Sequence, residues 1–568
     1  MDHRTASYDV TAFGADGTGS RDSTAAIRAA IAAACAASGD AVVRFPPGRY
    51  AVWPEDAAQR ELYVTNTVGA DPRFRVKTIA VLIEDARNLT LLGEDAVLVV
   101  HGRQTAIAVI DSADIAVRGL TIDYAVPTVV DATVRETGVA GGAGYRVVSI
   151  PEANPFEIDG LDVVWQGGTS PVTGEAYWEG RNGMAYTQVH DPIAGRTWRV
   201  DGSPLFDGVA ALSRRDRLLR IEYASGGDPG DAGLVHQMRD TVRDHPGILV
   251  LDSARITLAR VQARFLHGLG VVAQRCRDVT VEAVAFQAPR EEGRSSAAFA
   301  DFLQLAMLEG EVVVRDCVFD GPHDDPINIH GTYLRVADAG TDAIVLSFPH
   351  PESAGFPVFS AGDRLELVDA ETLQALSGPL TVRSVDGPSG RDHAKPLTRM
   401  TIALADPLPE GLAGRAGMVA ENITRTPSVE VAGNRFVHIP TRAILVTTRR
   451  RVRIHGNLFD GVTMPSIFIS ADATEWFESG PVSDVTIAGN SFRRTTAPAI
   501  LVRPTVGASM PVHGRIAIEA NRFEDAAAPL VDARNVAELV FQGNETTVPI
   551  AEAVRADAVG RLVTDPRA

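Results

Sequence analysis

The densest run of titratable side chains is Asp320-Gly321-Pro322-His323-Asp324-Asp325-Pro326-Ile327-Asn328-Ile329-His330-Gly331. Adjacent carboxylates raise one another's pKa and need compensation, so Asp324-Asp325 is a costly way to make a turn. The plainer reading is a solvated turn; the chemical one is a set of acids that give up and accept protons. Asn328 and His330 alternate with Ile327 and Ile329, so on a strand the two polar residues share one face. What lies beside this segment decides between the readings.

A repeat supplies the neighbours. Two apolar residues separated by one, then a small residue or Asn, then Phe recur from Val429 to Phe436, Val452 to Phe459, Val485 to Phe492 and Ile516 to Phe523. Looser copies begin at Leu89, Ile115, Ile256, Val279, Val312 and Leu539. Each copy reads as a short strand, a turn and, after the Phe, a further strand such as 443–446 or 466–469. Coils of this length stack into a parallel β-helix with rungs ~4.8 Å apart. The series Asn434, Asn457, Asn490, Asn521 and Asn544 fits stacked side chains at a bend where Asn tolerates left-handed backbone. Before the coils, Asp22-Ser23-Thr24 offers caps for a helix bearing Ile27, Ile31 and Cys35 and stopped by Gly39, which would plug the open end.

Two gaps interrupt the repeat. Ile115 to Ile256 spans 141 residues and Val312 to Val429 spans 117, leaving roughly 115 and 90 residues beyond one coil each. Both gaps lose the Asn-Phe template and alternate instead, as at 145–150 and 364–368. The expected fold is all-β: a right-handed parallel β-helix with an N-terminal capping helix and two inserted antiparallel β-barrel domains. The boundaries drawn are 1–125 for cap and first coils, 126–246 for the first barrel, 247–331 for the β-helix core, 332–426 for the second barrel and 427–568 for the C-terminal coils.

Aligning coils on their later strand sets Asp325 against Arg442 of the following coil and Asp301 of the preceding one, with the extra loop of that coil at 290–296. Asp301, Asp324, Asp325, Asn328, His330 and Arg442 then converge on one external patch. Three carboxylates on adjacent rungs suit glycosidic hydrolysis by inversion: Asp301 and Asp325 hold and deprotonate a water and Asp324 protonates the leaving oxygen, the exchange of roles between Asp324 and Asp325 staying open.

Charge narrows the partner. With 54 Lys+Arg against 72 Asp+Glu the chain carries −18, which disfavours nucleic acid, anionic membrane and polyuronate and suits a neutral sugar. No stretch approaches ~18 uninterrupted apolar residues, the length a membrane helix needs. Cys35, Cys276 and Cys317 have no CxxC spacing and read as small buried residues rather than disulfide or zinc ligands. The start, Met1-Asp2-His3-Arg4, shows no leader, so the expected location is cytoplasmic if the chain is complete and secreted if a leader was removed.

The stretch from Val314 through Asp324-Asp325-Pro326-Ile327-Asn328-Ile329-His330-Gly331-Thr332-Tyr333 resembles the signature region of glycoside hydrolase family 110, the bacterial α-1,3-galactosidases acting on blood-group-B-type glycans. Ala300-Asp301, Trp476-Phe477-Glu478-Ser479-Gly480-Pro481-Val482 and His101-Gly102-Arg103 add to the likeness, which runs from cap to last coils. The resemblance implies exo-acting, inverting release of terminal α-1,3-linked galactose, with no metal or organic cofactor and with Asp301, Asp324 and Asp325 as the catalytic acids. The family includes enzymes that require a fucosylated branch and others that also take linear Gal-α-1,3-Gal. The alanine- and arginine-rich, lysine-poor composition is similar to actinobacterial members and leans toward the branched substrate.

Further substrate-binding candidates each have a plainer reading. Trp476 and Glu478 offer a stacking platform and a hydroxyl acceptor, or a packed loop and a surface acid. Arg442 bonds a sugar hydroxyl or tunes the base; His323 and His330 bind substrate or satisfy backbone groups; Tyr63, with Asn66, reaches the site from an N-terminal loop or does not. Trp165, Trp178 and Trp198 read as barrel core. Outer faces of the barrels leave a homodimer open. The competing functions are a Ca-dependent polysaccharide lyase, with the aspartates on calcium and Arg442 as base, and a non-catalytic glycan-binding β-helix of adhesin or tailspike type.

Overall fold

The computed structural model describes residues 5–37, 39–67, 71–224, 226–388, 397–506 and 510–565; Met1 to Arg4, Lys395 and the last three residues of the tail lie outside them. Three ladders of parallel strands form the shaft of the molecule. In the first, Leu89, Ile115, Ile256, Val279 and Val312 pair in that order, followed by Val429, Val452, Val485, Ile516 and Leu539. Ile115 pairs with Ile256 and Val312 with Val429 directly, so both long segments leave and re-enter without costing a rung. The ladder also runs past the visible repeat: Ala6 pairs with Ala41, Ala41 with Leu89 and Leu539 with Leu562.

The second ladder carries the Phe of each template. Phe286, Phe319, Phe436, Phe459, Phe492 and Phe523 stack with centroids 4.8 to 5.1 Å apart and planes within 5 to 9°. Each buried ring pair contributes ~0.5–1.5 kcal/mol beyond its apolar burial, so the column is a main stabiliser of the coils. At the bend between the ladders the Asn side chains bond up the stack, from Asn434 Nδ2 to Asn457 Oδ1 (3.0 Å) and onward to Asn490, Asn521 and Asn544. The left-handed backbone falls one residue earlier than expected, on Gly433, Gly456, Gly489, Ala520 and Gly543. The Asn instead spends its amide on a backbone carbonyl one rung back, such as Val314 O for Asn434.

The helix Thr24–Cys35 closes the N-terminal end with Ile27, Ala30, Ile31 and Ala34 inward, and the Asp22 carboxylate accepts from the Thr24 N–H. Cys35 sits one residue past that stripe and is exposed, contrary to the buried role expected; Cys276 and Cys317 are buried. No described helix is long and apolar enough to cross a membrane.

The two inserted segments differ. The second is a closed antiparallel barrel whose strands pair in a ring, Ile327–Ala339 with Ala343–Ser347, Arg399–Leu404, Leu380–Asp386, Arg364–Asp369, Met418–Asn422 and back to the first. Its first strand begins as a β-helix rung at Ile327, so the boundary drawn at 331 falls inside one continuous strand. The first segment is a seven-stranded antiparallel sheet whose end strands, Arg196–Val200 and Val209–Arg215, do not pair with each other among the described residues. A three-stranded sheet bearing Phe156 and Trp165 seals its core instead.

Candidate active site

The third ladder builds the site. Leu303, Ile327, Ile444 and Ile467 are direct partners, so the residues two places earlier, Asp301, Asp325 and Arg442, occupy equivalent corners on successive rungs. Backbone bonds fix those corners: Phe302 N–H donates to Asp325 O (3.2 Å) and Ile327 N–H to Ala443 O (3.1 Å). One residue into each strand, Asn328, Leu445 and Phe468 stand in register facing outward and form the floor. The cavity over this floor holds about 250 Å³ and is lined by Asp301, Asp324, Asp325, Asn328, Arg442, Trp476 and Glu478, with Asn66, Arg243, Asp472 and Glu475 among the remaining walls.

Asp301 and Asp325 lie deepest, 6% and 2% exposed. Burial pushes the Asp301 carboxyl well above the usual range, and the charges of Asp324 and Asp325 add to it while Arg243 and Arg442 oppose. Burial raises Asp325 too, but Arg442 pulls it back with Nε to Oδ1 at 3.0 Å and Nη2 to Oδ2 at 2.7 Å. That two-pronged pair compensates a buried carboxylate that would otherwise be expensive. Asp324, also on the cavity wall, meets Arg199 Nη2 at 3.0 Å, a residue carried in by the first inserted segment.

Glu478 comes from a two-residue strand, Glu478–Ser479, that pairs with Gly331 and Thr332. Gly331 permits the approach, because a Cβ there would meet Ser479 Oγ at 2.2 Å. Asn328 Nδ2 donates to Glu478 Oε1 (3.2 Å), so the two arrive as a unit. Trp476 is 45% exposed at the rim.

Three candidates lie outside the cavity. His330 stands behind Asn328 and supports the floor: its Nδ1 donates to Gly331 O (2.7 Å) and its Nε2 meets Gln304 Nε2 (2.8 Å). His323 is fully buried against Ser296 Oγ at 3.1 Å, where burial, then the charges of Arg239 and Arg199, keep it well below the ordinary imidazole range. Tyr63 turns its hydroxyl to Glu61, and its ring fills the space over Gly355; Asn66, three residues on, is the one that reaches the cavity. Arg199, Arg243, Asp472 and Glu475 were not among the candidates, since nothing local to 199 or 243 marks them and only the fold brings them here.

Among the described residues, the one triad with ligand atoms within 4.8 Å of one another is Asp244, His245 and His267, none of which lines the cavity. It reads as a closed network rather than a metal centre. His245 Nε2 accepts the Thr78 N–H (3.0 Å), so its Nδ1 carries the proton that faces Asp244 Oδ1 at 3.2 Å and is not free for a metal. His267 completes the chain between Asp244 (2.7 Å) and Thr128 (2.7 Å). Lys77 adds a bond to Asp244 O (2.6 Å), tying the neck of the first inserted segment to the shaft, with burial drawing its ammonium down to about 7.

A rhamnogalacturonase A/epimerase, pectate lyase-like family matches residues 7–70. Solved structures give only low likeness, such as a family 28 exopolygalacturonase of Yersinia enterocolitica at a TM-score of 0.32 and 10% identity over 99% of this chain and 78% of that one. Sequence relatives are much nearer. Alpha-1,3-galactosidase A of Streptomyces avermitilis is 47% identical over 94% of this chain and 86% of its own length. The protein of the same name from Peterkaempfera griseoplana is 44% identical over 94% and 75%, and alpha-1,3-galactosidase B of Phocaeicola vulgatus is 27% identical over 94% and 91%. The chain belongs to the α-1,3-galactosidases, the glycoside hydrolase family 110 that its signature residues resemble.

Proposed function

We propose that this enzyme releases a terminal α-1,3-linked galactose from blood-group-B-type glycans with inversion, using Asp301 and Asp325 to hold and deprotonate a water and Asp324 to protonate the leaving oxygen. The observation that carries this reading is the equivalence of Asp301 and Asp325 on consecutive rungs at the bottom of a small cavity. Its volume of about 250 Å³ is below the ~300–1,000 Å³ of drug-sized ligand pockets, which suits one sugar ring entering from a chain end. Asn328 and Glu478 offer a donor and an acceptor to galactose hydroxyls. In the step itself the water oxygen bonds to C1 as the C1–O bond breaks; the water's proton passes to the Asp301–Asp325 pair and the acid's proton to the departing oxygen.

One observation favours a second assignment of the acid. Asp324 is ion-paired to Arg199, whereas no ion pair reaches Asp301 among the described residues and its carboxyl is the one held well above its ordinary range. Asp301 as proton carrier is therefore the alternative. The lyase reading loses support, because Arg442 is engaged on both Asp325 oxygens, and Asp325, against the pull of the guanidinium's own burial, holds it charged and unfit as a base. Galactose released from the fucosylated B trisaccharide, followed by NMR, tests inversion: β-galactose first is expected, and α-galactose first would refute the water-holding pair.

A further inference from the structure

The mouth of the cavity is assembled by a loop of the second barrel that none of the catalytic arguments uses. Three contacts join that loop to three cavity-lining residues. The His350 ring stacks on Trp476 with centroids 4.5 Å apart and planes at 28°. Glu352 pairs with Arg243, and Ser353 Oγ donates to Asn66 Oδ1 at 2.9 Å. The backbone that carries Trp476 is anchored by Asp472, whose carboxylate accepts the N–H groups of Thr474 (2.8 Å), Glu475 (3.1 Å) and Trp476 (2.6 Å). An exposed indole pinned by a stacked imidazole and an anchored loop is a preorganised flat apolar surface, the kind that receives the apolar face of a sugar ring.

Depth assigns the sugar. The carboxylates that act on the scissile bond are at the bottom, 6% and 2% exposed, and Trp476 at 45% is at the rim. In an enzyme that removes a terminal residue, the terminal ring fills the closed end and everything beyond the broken bond leaves through the mouth. Burial lowers the His350 pKa, in keeping with a ring packed against the indole.

Resting on the galactosidase reading above, we propose that Trp476, backed by His350 of the second barrel, forms the subsite for the neutral sugar on the leaving side of the scissile bond, so that this inserted domain determines which acceptor the enzyme tolerates. His350 is a positioning residue in this scheme: it acts through Trp476.

The test compares two substrates of the intact enzyme, an aryl α-galactoside without a leaving-side sugar and the fucosylated B trisaccharide. For His350→Ala, the ratio of kcat/KM for trisaccharide over aryl galactoside falls about tenfold, mainly through KM, the scale of losing one aromatic anchor. His350→Phe, which keeps a ring against the indole, restores the ratio. A ratio within twofold of wild type for His350→Ala, or equal losses on both substrates, overturns the inference, the latter placing the platform under galactose itself. Wild-type enzyme that frees galactose from neither substrate would instead overturn the functional reading.

Discussion

The two inserted segments reach the same cavity by different means. The first sends Arg199 from the interior of a strand, Arg196–Val200, and meets Asp324 with a charge at 3.0 Å. It is locked to the shaft by buried polar groups: Gln188 Nε2 donates to Pro322 O (3.0 Å), Gln237 Nε2 to Ser295 Oγ (2.8 Å), and the Asp131 carboxylate accepts from Ser295 and Ser296. The second sends a loop, and its contacts are a ring stack, one ion pair and one hydroxyl bond around the rim. A charge delivered from a rigid strand orients a carboxylate beside the reacting bond, whereas a loop at the rim sets shape beyond it. The shaft thus carries the three aspartates, and the two insertions reach them differently: one pairs with Asp324, the other shapes the rim.

The largest effect that separates them is expected for Arg199→Gln. Removing the guanidinium breaks the 3.0 Å ion pair that orients the Asp324 carboxylate, so with Asp324 as acid kcat on the B trisaccharide falls ~10²-fold, the scale of one misplaced acid–base group. Arg199→Lys recovers part of the loss. A kcat within twofold of wild type would break the distinction. His350→Ala, with its smaller tenfold change of substrate ratio, is expected to act mainly through KM.

Asp301→Asn offers a subtler check on the shared floor. Its folded-state pKa is raised above the unfolded ~3.9, so the folded state binds the extra proton between the two values. The stabilisation this gives is present at low pH and is lost as pH rises through the folded value. The melting temperature of Asp301→Asn relative to wild type is therefore expected to climb from pH 4 to pH 8; a constant gap would contradict the raised pKa. Smallest, and far from both insertions, Ala520→Gly is expected to stabilise the shaft by ~1 kcal/mol in chemical denaturation. Ala520 occupies the left-handed position that Gly fills at 433, 456, 489 and 543.

Much of this was legible in the chain because it repeats. Stacked Phe and Asn at one place per coil fix register, and register alone sets Asp301, Asp325 and Arg442 on adjacent rungs. The outer coils at Ala6, Ala41 and Leu562 were not legible, since cap and terminal rungs lack the Asn-Phe pair that marks the interior ones. Arg199, Arg243 and the His350 loop were hidden for another reason: they sit in segments without the repeat, and their proximity is created only when Ile115 meets Ile256 and Val312 meets Val429. Tyr63 shows the limit of reading a loop by residue type. The aromatic ring packs inward against Gly355, and the less conspicuous Asn66 is what faces the cavity.

The division of labour among the three aspartates is tested most directly by the dependence of each Asp→Asn variant on its leaving group. An aryl α-galactoside with an acidic phenol needs no protonation of the departing oxygen. Asp324→Asn is expected to keep activity on it within about tenfold of wild type while losing ~10²–10⁴-fold on the B trisaccharide. Asp301→Asn and Asp325→Asn are expected to lose both alike. Retained aryl-galactosidase activity in Asp301→Asn, with loss in Asp324→Asn, would contradict the account and move the acid to Asp301.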